Sequence, residues 1–198
     1  MPLRSWKSLV PRKVRLLAKM RWKNGRWRLA TPDRVVLEDV IIPGVLAAGE
    51  VDHVLDIGVA WYTRNYPRLF RGIDYWSVDV DPAEAEHRRA HHHTLSATKL
   101  TDVFAHDTFD LVLCNGVIGW GLNRPEQVAL GLDACAAVLR PGGWLVVGWN
   151  DVPGHRVEGL EEMLAARFDH AELPVLGADH YLTDTHYRHR YDFFRARS

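Results

Sequence analysis

The apolar positions change period along the chain. From Ser5 to Met20 they fall at Trp6, Leu9, Val10, Val14, Leu17 and Met20, the spacing of an amphipathic helix that Pro11 breaks or restarts. Asn24-Gly25 reads as a turn between Trp22 and Trp27. Thr31-Pro32-Asp33 opens a second helix, with Thr31 as N-cap and Pro32 at the first helical position. It runs to about Ala48, with an interruption at Pro43-Gly44. Past Gly49, short apolar runs alternate with helical patterns. The runs predict strands at His53–Ile57, Tyr75–Val80, His93–Leu95, Phe109–Asn115, Trp144–Trp149, His170–Leu173 and His189–Ala196. Helices are predicted at Thr63–Phe70, Ala83–Ala90, Pro125–Leu139 and Val157–Phe168. This alternation predicts an α/β fold: a doubly wound, mostly parallel seven-stranded sheet with helices on both faces. Two strands in succession at the end predict a terminal antiparallel strand. Residues 1–49 then form a helical N-terminal extension, and residues 50–198 the α/β domain.

Composition narrows the class. An apolar content of 47% supports one buried core, and no apolar run approaches the roughly 20 residues that span a bilayer. Cys114 and Cys135 read as core residues without disulfide or metal spacing. No signal peptide is evident, so the expected setting is cytoplasmic. Net charge is zero, yet residues 1–28 carry ten Lys or Arg and no acid. Such an arm can bind nucleic acid or anionic lipid, but it serves equally as a solvated face or as a cover on the acidic body of the same protein. The latter is the expectation here, with neither a membrane nor nucleic acid as partner.

In an open α/β sheet, ligands bind at the carboxyl ends of the strands. Four such ends stand out: Asp56-Ile57-Gly58, Asp79-Val80-Asp81-Pro82, Cys114-Asn115-Gly116, and the turn Arg140-Pro141-Gly142-Gly143 before a buried strand. Gly58 permits a tight turn and close approach of a ligand to the backbone. An ionised acid at Asp79 is an acceptor-only group, suited to the two hydroxyls of a ribose.

These segments, in this order and spacing, resemble the class I S-adenosylmethionine-dependent methyltransferases over about residues 50–196. The first-strand motif is Val54-Leu55-Asp56-Ile57-Gly58, and Asp79 matches the ribose-binding acid. Phe109 to Gly116 matches the fourth-strand motif, and Leu139 to Val146 the helix-turn-strand motif before the fifth strand. The resemblance implies S-adenosylmethionine as cofactor. Asp56, Gly58, Ala60 and Trp61 would hold its methionine end, Asp79 with Val80 the ribose, and Ser96 and Ala97 would lie beside the adenine. Asn115 and Gly116 would line the methyl-transfer site, with Val117, Trp120 and Asn150 contacting the acceptor. The family's first loop carries alternating glycines, whereas this one keeps Gly58 and has Ala60 and Tyr62 in the next positions.

Methyl transfer from a sulfonium needs alignment and exclusion of water more than acid-base help. A hydroxyl acceptor still benefits from a base, and the last segment offers His186, Tyr187 and His189 as catalytic candidates. With no large insertion for a macromolecular substrate, the expected reaction is O-methylation of a small molecule. Two other readings stay open: a cofactor-using enzyme of the same fold that displaces at the aminobutyryl chain, motivated by the bulk of Trp61 and Tyr62, and a non-catalytic binding relative. A nicotinamide-binding domain is disfavoured, because its fingerprint needs two glycines that this loop lacks. Consecutive His91, His92 and His93 point in divergent directions, so no metal site is expected.

Overall fold

The computed structural model describes residues 11–23, 26–85 and 91–197. Helix α1 (Arg12–Leu17) leads into an antiparallel hairpin of β1 (Met20–Lys23) and β2 (Arg26–Leu29). Trp22 and Trp27 face each other across it, their rings edge-on at 5.7 Å. Met20, the last position of the predicted first helix, therefore begins a strand instead; the part of that prediction before Pro11, and the turn at Asn24-Gly25, lie outside the described residues.

The second helical run is continuous from Pro32 to Ala47, as α2 (Pro32–Val36), a π-helical turn (Leu37–Ile41) and α3 (Ile42–Ala47). The predicted interruption at Pro43 is absorbed by that wide turn. Pro43 has no N–H, and its ring would press on the carbonyl four residues back; the π turn, in which the Ile42 N–H reaches the Leu37 carbonyl, relieves the crowding. Thr31 does precede the helix in extended conformation, but its hydroxyl makes no cap.

The main sheet contains β3 (His53–Ile57), β4 (Asp74–Asp79), β5 (His91–Thr94), β6 (Phe109–Asn115), β7 (Leu139–Asn150), β8 (Phe168–His170), β9 (His180–Leu182) and β10 (His189–Ala196). Its order is β5-β4-β3-β6-β7-β10-β8, and β9 also pairs with β10. The strands from β5 to β7 are parallel to one another, and β10 runs antiparallel to β7. The seven-strand path and its antiparallel end match the expectation; β9 is an eighth, short strand. The predicted strand at His170–Leu173 is shifted to Phe168–His170, and Leu173 makes only an isolated bridge to Ala178.

Helices α4 (Pro82–Ala85), α5 (Pro125–Val138) and α6 (Leu160–Ala165) follow their strands. The helix predicted at Thr63–Phe70 is instead two 3-10 turns, Trp61–Thr63 and Tyr66–Arg68. Pro67 withholds the N–H that a regular helix would use there, and the Thr63 hydroxyl folds back on Ala60, accepting from its N–H at 3.0 Å. Residues 86–90 of the helix predicted at Ala83–Ala90 are outside the described set.

Strand alternation divides the core between the two faces. On one, Leu55, Ile57, Val112, Cys114 and Val147 meet α5 and α6 through Val128, Leu132, Cys135 and Leu164. On the other, Val54, Leu113, Val146, Tyr191 and Phe193 meet Val36, Leu37, Ile41, Ile42 and Val45 of the N-terminal run, with Tyr66 and Phe70. The N-terminal run is thus a wall of the second core. Burial pushes the Cys114 thiol up to about 12, which fits an inert core residue. No helix among the described residues is long and apolar enough to cross a membrane.

Candidate active site

The carboxyl ends of β3, β4 and β6 open into a cleft of about 200 Å³. Its floor is Ile57, Gly58 and Val78; Asp79 and Val80 stand on one side, Leu95, Ser96 and Ala97 on another, and Gly116, Val117, Gly121, Leu122 and Gln127 close it. Gly58 has φ +82° and donates its N–H to the Val78 carbonyl at 3.0 Å. A Cβ there would lie 2.3 Å from Val117 Cγ2 and 3.1 Å from the Asn115 carbonyl. Gly58→Ala is therefore expected to cost about 1–2 kcal/mol for the left-handed backbone alone, with Val117 displaced toward the cleft. Urea denaturation checks the first effect and ligand titration the second.

Asp79 ends β4. Its carboxylate Oδ1 accepts the Asp81 N–H at 2.8 Å, and its carbonyl accepts the Leu95 N–H at 2.9 Å, so the acid is held at the rim by the turn that follows it. Val80 beside it is 65% exposed, an apolar surface at the mouth for a flat ring to cover. Ser96 caps the 3-10 turn Ala97–Asp102 by accepting the Thr98 N–H at 3.3 Å.

Other sequence candidates lie elsewhere. Asp56 is buried on the opposite face, its Oδ2 accepting the Tyr75 hydroxyl at 2.6 Å. Ala60 and Trp61 are not among the cleft-lining residues. Tyr62 turns toward the N-terminal run, where the Arg34 guanidinium carbon sits 5.1 Å from its ring centroid. Trp120 is half-exposed and stacks on His155 at 4.2 Å. His186 and Tyr187 are exposed and meet only edge-on, at 5.3 Å.

Asn115, His189 and Asn150, by contrast, come together. His189 Nε2 is 3.0 Å from Asn115 Oδ1, and Nδ1 is 2.6 Å from Asn150 Oδ1. The contact passes over Gly148, where a Cβ would lie 2.2 Å from Asn115 Oδ1. Burial drives the His189 imidazole down to about 4; Asp33 opposes this shift and Arg34 adds to it. A neutral imidazole has one N–H and one acceptor nitrogen. Asn115 Nδ2 is buried without a partner. Both facts are satisfied when Nδ1–H donates to Asn150 and the Asn115 carboxamide turns its Nδ2–H onto Nε2. With both ring nitrogens engaged, His189 orients Asn115 rather than standing free as a base.

Residues 55–147 match the family model for the methyltransferase domain. The fold is that of the class I S-adenosylmethionine-dependent methyltransferases. No curated protein matches this chain in sequence. Among solved structures, it is similar to the N-methyltransferase NodS from Bradyrhizobium japonicum WM9 in complex with S-adenosylhomocysteine: TM-score 0.67, 20% identity, 98% of each chain covered. The TehB-like S-adenosylmethionine-dependent methyltransferase from Corynebacterium glutamicum ATCC 13032 aligns with TM-score 0.60 at 15% identity, over 79% of this chain and 86% of that one. The Burkholderia thailandensis 1,6-didemethyltoxoflavin-N1-methyltransferase, with bound 1,6-didemethyltoxoflavin and S-adenosylhomocysteine, aligns with TM-score 0.53 at 17% identity, over 91% and 100%. At these identities the likeness is one of fold.

Sequence reasoning missed two residues that the fold places near the candidate site. Gln127, half-buried, reaches the cleft from the first turn of α5, on a helix whose buried positions are apolar. Arg34 is a buried cation in α2 that donates from Nη1 to the Tyr66 hydroxyl at 3.0 Å. A signal for it existed, a lone Arg leading the apolar run Val35-Val36-Leu37, but nothing along the chain says that the run lies over the carboxyl ends of the sheet.

Proposed function

We propose that S-adenosylmethionine lies across the cleft and that its methyl group passes to an oxygen of a small molecule. The observation that carries the cofactor assignment is the pairing of the positive-φ turn at Gly58 with the Asp79 carboxylate on adjacent strands, around a cavity whose far wall is apolar. In this reading the Asp79 carboxylate accepts the ribose hydroxyls, Val80, Leu95, Ser96 and Ala97 border the adenine, and Gly116 gives the sulfonium end room. The cofactor supplies an electrophilic methyl. The chain supplies alignment: the Asn115 carboxamide, held by His189, which Asn150 fixes in turn, hydrogen-bonds the acceptor, and Val117 and Trp120 flank it. The described helical run Pro32–Ala47 of the N-terminal extension closes the acceptor side. Its Asp33 and Arg34 support this, because Asp33 accepts the Tyr191 hydroxyl through its carbonyl and Arg34 lies over Tyr62.

Oxygen is favoured because the lining is poor in base. His189 titrates near 4 and cannot strip a proton from an ammonium, so an oxygen that is already ionised, a carboxylate or an acidic phenol, suits it best. N-methylation is the second reading, supported by the activities named for the Bradyrhizobium and Burkholderia structures. The test incubates the protein with methyl-labelled cofactor and a panel of carboxylate, phenol and amine acceptors. Formation of S-adenosylhomocysteine with an O-linked label supports the proposal; methyl esters among the products release it in mild alkali. An N-linked label selects the second reading. Release of methylthioadenosine without methyl transfer would mean displacement at the aminobutyryl chain.

A further inference from the structure

Val14 and Leu17, three positions apart on α1, share one side of that helix, and each is 51% exposed. Trp22 and Trp27, paired across the hairpin, are 61% and 48% exposed. Large apolar side chains are thus gathered against water on one short stretch, where a soluble surface keeps them scattered. The hairpin is fastened to the body. Lys23 Nζ and Arg28 Nη1 donate to the two oxygens of Asp39 at 2.9 and 2.7 Å, and Asn65 Nδ2 donates to the Trp27 carbonyl at 3.2 Å. Leu29, at the end of β2, is buried. Arg21 Nη1 donates to the Ala18 carbonyl at 3.0 Å and ties the hairpin to the end of α1. Arg15 and Lys19, by contrast, are exposed and make no ion pair among the described residues.

We propose that α1 and the β1–β2 hairpin dock on the surface of an anionic lipid bilayer. Val14, Leu17, Trp22 and Trp27 enter the headgroup region, and Arg15 and Lys19 meet the lipid phosphates and carboxylates. Charge complementarity decides the occupant: residues 1–28 hold ten Lys or Arg and no acid. Exposed apolar side chains on a basic stretch are what an interfacial element needs, since apolar burial and attraction to anionic lipid add. Trp in particular settles at headgroup depth, with an apolar body and one N–H. A nucleic acid would use the cations but not the aliphatic Val14 and Leu17. The two Trp rings, at an interplanar angle of 72°, also offer no parallel platform for successive bases. A second copy of this chain would bring the basic stretch against itself in a two-fold contact. None of these residues lines the cleft, so the surface stands independently of the cofactor reading. The expected basic cover on the body is met at Lys23 and Arg28; the expectation of no membrane partner gives way to attachment at the surface, with no described helix long enough to span.

The experiment is co-sedimentation of the full chain with extruded vesicles at physiological ionic strength. One set is phosphatidylcholine alone, the other an equimolar mixture with phosphatidylserine. Binding to the anionic set is expected to be at least about 10-fold tighter, and to weaken as salt is raised. Trp22→Ser with Trp27→Ser should weaken it about 10-fold through lost apolar burial. Arg15→Gln with Lys19→Gln, at exposed positions outside the hairpin, should weaken it about 30-fold through the loss of two cations at the surface. Circular dichroism checks the fold of each variant. If the Trp variant loses the hairpin, Val14→Ser with Leu17→Ser makes the apolar test from α1, again with a loss of about 10-fold. No binding to the anionic vesicles, equal binding to both sets, or binding that neither the apolar nor the charge variants reduce would overturn the proposal. Binding of a single-stranded oligonucleotide, or a doubled molar mass, with no vesicle binding would overturn it in favour of a nucleic acid or a second copy.

Discussion

Asp79→Ala is expected to lower affinity for S-adenosylmethionine by about 100-fold, the effect of losing two hydrogen bonds to a charged acceptor at about 1.5 kcal/mol each. The carboxylate stands at the rim of the cleft, fixed by the Asp81 N–H on Oδ1 and by the end of β4. Alanine also removes that turn hydrogen bond, a loss of about 1 kcal/mol in stability, which urea denaturation measures separately. Asp79→Asn keeps one acceptor oxygen and the side-chain shape, so its affinity should lie between the two. Calorimetry on all three proteins reads the series. Unchanged affinity in Asp79→Ala would mean that the ligand sits elsewhere.

The second large effect is on stability against pH. The His189 imidazole titrates near 4 in the folded chain, against an ordinary value of 6.5, chiefly because it is buried. Between those values the unfolded chain binds a proton that the folded chain refuses, so stability falls as pH drops from about 6.5 to about 4. The penalty is absent at pH 7 and reaches about 3 kcal/mol at the acid end of the window. Asp33, which opposes the shift, and Arg34, which adds to it, both come from α2 and adjust what burial sets. His189→Gln removes the titration and retains amide hydrogen bonding. In urea denaturation followed between pH 7 and 4, the variant should lose about 3 kcal/mol less than the wild type. Parallel profiles would contradict a buried neutral His189.

Much of the frame was legible in the chain because strand alternation and turn residues are local. Val54, Leu55 and Ile57 announce a strand buried on both faces, and Gly58 and Asp79 fall where such strands end. Three features were not legible, each for a physical reason. The hairpin of Trp22 and Trp27 has short, mostly exposed strands with no clear period, so only cross-strand pairing defines it. The 3-10 turns after Gly58 depend on Pro67 and on the Thr63 hydroxyl, which override a helical apolar pattern. The third concerns the terminal histidines. His180, His186 and His189 look alike along the chain, and it is the β10–β7 register, His189 opposite Asn150, that buries one of them beside Asn115. The glycine-poor loop looked like a departure within the cofactor site. In the fold the departure lies away from the cleft: Tyr62 meets Arg34, and of this loop only Gly58 lines the cleft.

The most direct test of the account is calorimetric titration of the wild-type chain with S-adenosylhomocysteine and with S-adenosylmethionine. One site per chain, with binding weakened by Asp79→Ala, is the predicted result. Absence of heat with both ligands at high protein concentration, matched by no shift in melting temperature, would contradict it.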